Sequence, residues 1–214
     1  MRSYAEHEVD LIVYEAFFDG VRDGVMVEVG AAGPELLSMS LLFRQAGWRV
    51  ILVEPNPVFA EMHRQAGHQV FEVACADRDA DDVPFVVVDS HETIYEGVPV
   101  TYESLSALEI KAAYRAVHEE PDLATIRVSV RRLDTLLDAE ENLDRLDVLS
   151  VDVEGWELEV LAGFSFDRYR PGVVIVENLF ADPAYTEALY RAGYQLWRRI
   201  PPNDVYVRRP GSPG

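Results

Sequence analysis

A regular alternation of short apolar runs with stretches of helical periodicity constrains this chain more than any other feature. Val25–Val29 is a β-branched run ending in Gly30, and after a turn of small residues the stretch 34–45 carries apolar side chains at helical spacing. Residues 49–53 form a second apolar run, stopped by Glu54-Pro55-Asn56-Pro57; 58–65 reads as the next helix, with Gly67 as its stop. Residues 69–74 supply a third strand. Parallel neighbours need a long return connection, so two strand-helix-strand crossovers of this length predict a parallel sheet with helices on its faces.

The middle of the chain is less regular. The acidic stretch 77–82 reads as a loop, 84–88 as a strand, 104–117 as a helix and 126–130 as a strand. Residues 90–101 mix Gly, Pro, His and Tyr without either periodicity and make a candidate lid. From 146 the pattern returns: strand at 147–151, helix at 156–162 ended by Gly163, apolar strand at 173–176 capped by Glu177, helix at 185–192 ended by Gly193. Two alternating runs, 194–199 and 204–208, flank Ile200-Pro201-Pro202-Asn203 and predict an antiparallel hairpin. The expectation is an α/β chain: a single Rossmann-like domain over 1–209, with a mostly parallel seven-stranded sheet, a C-terminal antiparallel β-hairpin and helices on both faces, then a short tail over 210–214.

Composition narrows the function classes. No apolar run approaches the ~18 residues that cross a bilayer, and residues 1–10 are polar and acidic where a secretory leader would be basic and then apolar. A cytoplasmic protein is expected. Cys75 is the one cysteine, which excludes an intramolecular disulfide and a multi-thiolate zinc site. Acidic residues number 38 against 19 basic ones, a net charge of −19 that repels a phosphate backbone or an anionic membrane. Nucleic acid and membrane are therefore not expected as partners; a homodimer is compatible with the sequence.

Open parallel sheets bind ligands beyond the C-terminal ends of their strands, which directs attention to 28–33, 54–56, 74–77 and 152–157. Gly30, Ala31 and Ala32 offer almost no side chain, so a ligand can pack against the backbone. Glu54 follows Gly30 by 24 positions, where a strand-end acid can accept hydrogen bonds from both hydroxyls of a ribose. The same pair of features fits a nucleotide-dependent oxidoreductase, although a G-x-G-x-x-G fingerprint is absent.

Here the sequence resembles the FkbM family of methyltransferases. Glu28-Val29-Gly30-Ala31-Ala32-Gly33-Pro34, Ser38, Gly47-Trp48-Arg49 and Val53-Glu54-Pro55-Asn56-Pro57 are similar to that family's first half. Leu133-Asp134-Thr135-Leu136-Leu137, then Leu149-Ser150-Val151-Asp152-Val153-Glu154-Gly155-Trp156-Glu157 and Leu161, resemble its most recognisable stretch. The first loop departs from the family in lacking its asparagine and spaced second glycine. The resemblance implies S-adenosyl-L-methionine as cofactor, with the Gly30 loop under its methionine part and Glu54 on its ribose. Glu28, Gly30, Ala31, Ser38, Glu54, Pro55, Asn56, Ala74, Cys75, Ala76 and Asp152 are the implied contacts, with Ala74, Cys75 and Ala76 bordering the adenine. It further implies an oxygen acceptor: a hydroxyl on a sugar, glycan or secondary metabolite. A non-catalytic cofactor-binding module is the alternative outside enzymes.

Methyl transfer is an in-line displacement, so the protein's tasks are to align the acceptor oxygen and take its proton. Asp152 is expected to orient cofactor or acceptor, with Glu154 or Glu177 helping to accept the proton directly or through a metal. As an extended segment, 152–154 would put Asp152 and Glu154 on one face; Glu157 sits where a helix N-terminus favours a carboxylate. Asp152, Glu154, Glu177 and Asn178 are oxygen donors suited to Mg2+. Among His7, His63, His68, His91 and His118 none forms a ligand-spaced pair, and His91, in the candidate lid, is the imidazole singled out as a general base. Trp156 and Trp197 are expected in the core or an interface.

Overall fold

The computed structural model describes residues 1–89, 93–95, 98–100, 107–108 and 122–211. The apolar runs form the predicted sheet. β1 (Val25–Val29), β2 (Arg49–Val53), β3 (Val70–Phe71), β9 (Val148–Val151) and β10 (Val173–Glu177) run parallel, and β11 (Tyr194–Ile200) and β12 (Asn203–Arg208) close the sheet as an antiparallel hairpin. The seven-stranded order is β11-β12-β10-β9-β1-β2-β3, with the first strand of the chain near the centre.

Both faces of this sheet are covered, which is why its strands read as continuous apolar runs. Val27, Val29, Ile51, Val53, Leu149 and Val151 point to one side and pack with α4 (Leu133–Asp138), α5 (Glu157–Ala162) and α7 (Pro183–Arg191). Met26, Val50, Leu52, Val148 and Ile175 point to the other and pack with α1 (Val9–Phe17) and α2 (Leu41–Gln45). Two short helical segments complete the main layers: α3 (Pro57–Gln65), capped by Asn56 through Oδ1, and α6 (Phe166–Tyr169). Among the described residues no helix is long and apolar enough to cross a membrane.

The structure corrects four expectations. Helix α1 was not foreseen; its Val9, Val13 and Tyr14 recur at helical spacing and are buried against the sheet. The helix read over 34–45 begins only at Leu41, because the Glu28 carboxylate accepts the Met39 amide and Ser38 Oγ accepts the Leu41 amide, holding 30–40 as a loop. The strand read over 69–74 splits: Val70–Phe71 pairs with β2, while β4 (Ala74–Cys75) turns away to pair with β8 (Asp122–Arg131). The acidic stretch is a loop only as far as Asp79, since β5 (Ala80–Asp89) starts inside it and pairs antiparallel with β8. Partners on and beyond β8 explain that start: Asp81 pairs with Arg131, and Asp79 accepts the Arg132 amide and the Thr135 hydroxyl.

The resulting small sheet, β4-β8-β5, has its own core of Ala74, Ala76, Phe85, Val128 and Val130. Within 90–101 the described parts are a hairpin of β6 (Thr93–Tyr95) and β7 (Val98–Val100). His91, the rest of that candidate lid and nearly all of the helix expected over 104–117 lie outside the described residues.

Candidate functional site

Register brings the strand ends together. Val29 pairs with Val53 on one side and with Val151 on the other, and Val151 with Val176, so Gly30, Glu54, Asp152 and Glu177 leave the sheet along one edge. Above that edge lies a cavity of about 1000 Å3. Its wall contains Glu28, Gly30, Ala31, Glu54, Pro55, Ala74, Cys75, Asp152, Glu154 and Glu177 of the predicted residues.

Three predicted cofactor residues stand behind that wall. Ser38 caps the turn before α2, Asn56 caps α3, and Ala76 presses its carbonyl against Gly163, where any Cβ would collide with it. Other lining residues were not foreseen. Pro201, Pro202 and Asn203 come from the hairpin turn, Phe59, Met62 and Gln65 from α3, and Glu6 and His7 from the N-terminal turn. A hairpin turn and an N-terminal segment carry no local mark of a site. For α3 a mark existed, because Phe59 and Met62 share its apolar side. Trp156 also lines the cavity instead of sitting in the core.

The Gly30 loop has a different physical basis from the one its small residues suggest. Gly30 has φ +82°, and a Cβ there would fall on the carbonyl oxygen of Asp152. Glycine is required so that the loops after β1 and β9 can touch, and Gly30 at the same time lies on the cavity wall. The Gly30 and Ala31 amides both point to the Val53 carbonyl, at 2.9 and 3.3 Å, which ties the first loop to β2. Ala32, in the left-handed region at φ +44°, is clamped from two sides. Its amide donates to Glu54 Oε2 at 2.9 Å, and its carbonyl accepts from His63 Nε2 at 2.9 Å.

Glu54 is thereby fixed as an acceptor: Oε1 takes the Asn56 amide at 2.7 Å and Oε2 the Ala32 amide. Burial lifts its carboxyl to about 7 against those stabilising amides. Glu28, also buried, gives Oε1 to the Met39 amide at 3.2 Å, while Oε2 has no protein partner. Burial lifts this group to about 7 as well, with Ser40 and then Arg44 pulling in the opposite direction.

The loop after β9 is not extended. Glu154 and Gly155 both have left-handed φ, +57° and +95°, so Asp152 and Glu154 do not alternate as on a strand. Glu157 stabilises this backbone from below. Fully buried, it accepts the Val153 and Gly155 amides on Oε1 at 3.0 and 2.9 Å and the Tyr185 hydroxyl on Oε2 at 2.7 Å. Its role is to organise the loop. Burial and the charges of Glu157, Glu6 and Glu28 raise Asp152 to about 7, and burial with Asp152 as neighbour holds Glu154 well above the ordinary carboxyl range. Cys75 is an inert wall residue, its buried thiol pushed up to about 12.

The predicted Mg2+ donor set does not assemble. The Asn178 amide is spent on Asp204, on the Asp182 amide and on the Asp182 carbonyl. Carboxylate oxygens of Asp152, Glu157 and Glu177 do come within 4.8 Å of one another, but both oxygens of Glu157 already hold the loop and Tyr185. Among the described residues, Asp152 and Glu177 of the predicted donors come together with Glu157 beside them, and Asn178 does not join them.

The comparisons agree with this layout. No curated protein matches the chain. Among solved structures, the crystal structure of methyltransferase FkbM from Methylobacillus flagellatus KT is similar in fold, with a TM-score of 0.52 at 16% identity. The alignment covers 89% of this chain and 46% of that one, so the chain spans about half the length of its structural relative. Residues 28–196 match the family model described as the methyltransferase FkbM domain, from the first strand-end acid to the C-terminal hairpin. A match over most of the chain, in the stretch that builds the cavity's strand-end wall, shows that it belongs to the FkbM methyltransferase family.

Proposed function

We propose that the cavity binds S-adenosyl-L-methionine and that the protein transfers its methyl group to the oxygen of a hydroxyl on a sugar, glycan or secondary metabolite. The observation that carries this reading is Glu54. Two backbone amides orient its carboxylate at the cavity wall, and each oxygen keeps a lone pair with which to accept a ribose hydroxyl.

The other residues fit the same cofactor. The buried, unpartnered Oε2 of Glu28 suits an ammonium group, and Asp152 beside it suits the adjoining positive sulfur. Ala74, Cys75 and Phe59 offer apolar surface for a flat ring. A volume of about 1000 Å3 leaves room for an acceptor next to the cofactor. When bound, S-adenosyl-L-methionine supplies a methyl group already activated by its positive sulfur. The chain aligns the acceptor and manages its proton: Glu154, whose carboxyl burial holds well above the ordinary range, lies on the cavity wall, and Asp152, ionised once a cation faces it, orients the acceptor hydroxyl.

Calorimetry with S-adenosylhomocysteine and with NAD tests the reading. Heat of binding is expected for the first and none for the second. Glu54→Ala removes two charge-assisted acceptors and should weaken the first by about tenfold or more. A wild-type protein that ignores S-adenosylhomocysteine ends the proposal.

A further inference from the structure

Glu6 and His7 line the cavity from the N-terminal turn. His7 and Glu8 both adopt left-handed φ, +50° and +58°, a conformation that costs non-glycine residues free energy. The fully buried carboxylate of Asp10 offsets that cost. It accepts the Tyr4, Ala5 and Leu11 amides at 2.9, 3.4 and 2.7 Å and also binds the Ser3 hydroxyl. A strained turn anchored by a buried acid, with its tip in the cavity, is built to place a side chain.

That side chain is His7. Its Nε2 lies 3.3 Å from Glu6 Oε1, an arrangement in which the carboxylate holds the Nε2 proton and leaves Nδ1 as the basic nitrogen. It is the one imidazole among the described lining residues, and half of its side chain is exposed, so a proton taken up can leave to solvent. Four of the carboxyl groups that line the cavity serve this purpose poorly. Glu54 and Glu28 hold loop amides, burial disfavours the charged form of Glu154, and Asp152 loses basicity when a cation binds opposite it.

We infer that His7, oriented by Glu6, is the group that takes the proton from the acceptor hydroxyl. The inference rests on the cofactor reading above. As the O–CH3 bond forms and the S–CH3 bond breaks, the hydroxyl proton passes to the His7 ring, S-adenosylhomocysteine leaves with neutral sulfur, and Glu6 balances the imidazolium. The charged groups around His7 are Arg2, Glu6 and Glu8 on its own segment, Asp10 that anchors this segment, and Asp152 and Glu154 on the lining of the same cavity.

The test is an NMR titration of the histidines in the full chain, with His7 assigned by its loss in His7→Gln. Sinefungin carries an amine where the methyl sulfonium would be, and S-adenosylhomocysteine carries no charge there. Saturating sinefungin should lower the His7 pKa by about half a unit or more relative to S-adenosylhomocysteine. With methyl α-glucoside as probe acceptor, His7→Gln should cut kcat by about a hundredfold or more and remove the acidic limb of its pH profile. Its affinity for S-adenosylhomocysteine should stay within about twofold, the loss belonging to kcat rather than to cofactor binding. A His7 titration identical in both complexes, with calorimetry showing both ligands bound, overturns the inference and leaves the cofactor reading intact. Failure of both ligands to bind overturns the two together.

Discussion

Gly30 illustrates how a single residue decides whether the site exists. The close contact between the Gly30 and Asp152 loops is possible only without a Cβ, and the positive φ of Gly30 adds a second reason against any other residue. Gly30→Ala should destabilise the protein by at least about 2 kcal/mol, from the left-handed penalty and the backbone clash together. Denaturant unfolding measures this directly, and a midpoint equal to wild type would show that the two loops do not touch. Gly30 was legible in the sequence as a strand-end glycine. Its partner, a carbonyl 122 positions away in the chain, was not.

At the scale of elements, α3 acts as a clamp on the first loop. Asn56 starts the helix and Pro57 occupies its first turn, so the helix runs in the direction that carries His63 to the Ala32 carbonyl. His63 also meets His68, Nδ1 to Nδ1 at 3.2 Å, an arrangement that needs one ring as donor and the other as neutral acceptor. Burial, with His68 and Arg44 adding repulsion, depresses His63 to about 4. Because the folded pKa lies below the unfolded value near 6.5, the neutral clamp contributes fully above pH 6.5 and its contribution is lost as pH falls toward 4. The stability advantage of wild type over His63→Gln should therefore shrink across that window. Thermal melts of both proteins at several pH values check it, and a constant gap would mean that His63 is not buried neutral.

The whole molecule carries a charge of −19 and concentrates part of it at the cavity. Glu28, Glu54 and Asp152 are each raised to about 7 by burial, the last two also by acidic neighbours. Their folded values exceed the unfolded ones near 4, so the stability they contribute is complete at acid pH and lost as pH rises through 7. Below pH 6.5 His63 works in the opposite direction. Between pH 6.5 and 8 the carboxyl groups decide, and the thermal midpoint of the ligand-free protein should fall; a rise over that interval would contradict the buried, protonated cluster. Self-repulsion of the surface charge acts in the same direction.

Local pattern was enough for the parts of this protein that depend on neighbours in sequence. Apolar runs buried on both faces marked β1, β2, β9 and β10, the Pro-Pro turn marked the closing hairpin, and Glu54 stood out as an acid at a strand end. Three other features depended on distant partners. The strand expected over 69–74 divided because Ala74 found Val130, β5 began early because Asp81 found Arg131, and Glu6 and His7 reached the cavity because Asp10 anchored their turn. Sequence alone determined that β1, β2, β9, β10 and the closing hairpin are strands, since periodicity is a property of consecutive residues. Tertiary structure decided which loops meet and which carboxyl groups keep their protons, since contact and desolvation arise only when remote segments exclude water from one another.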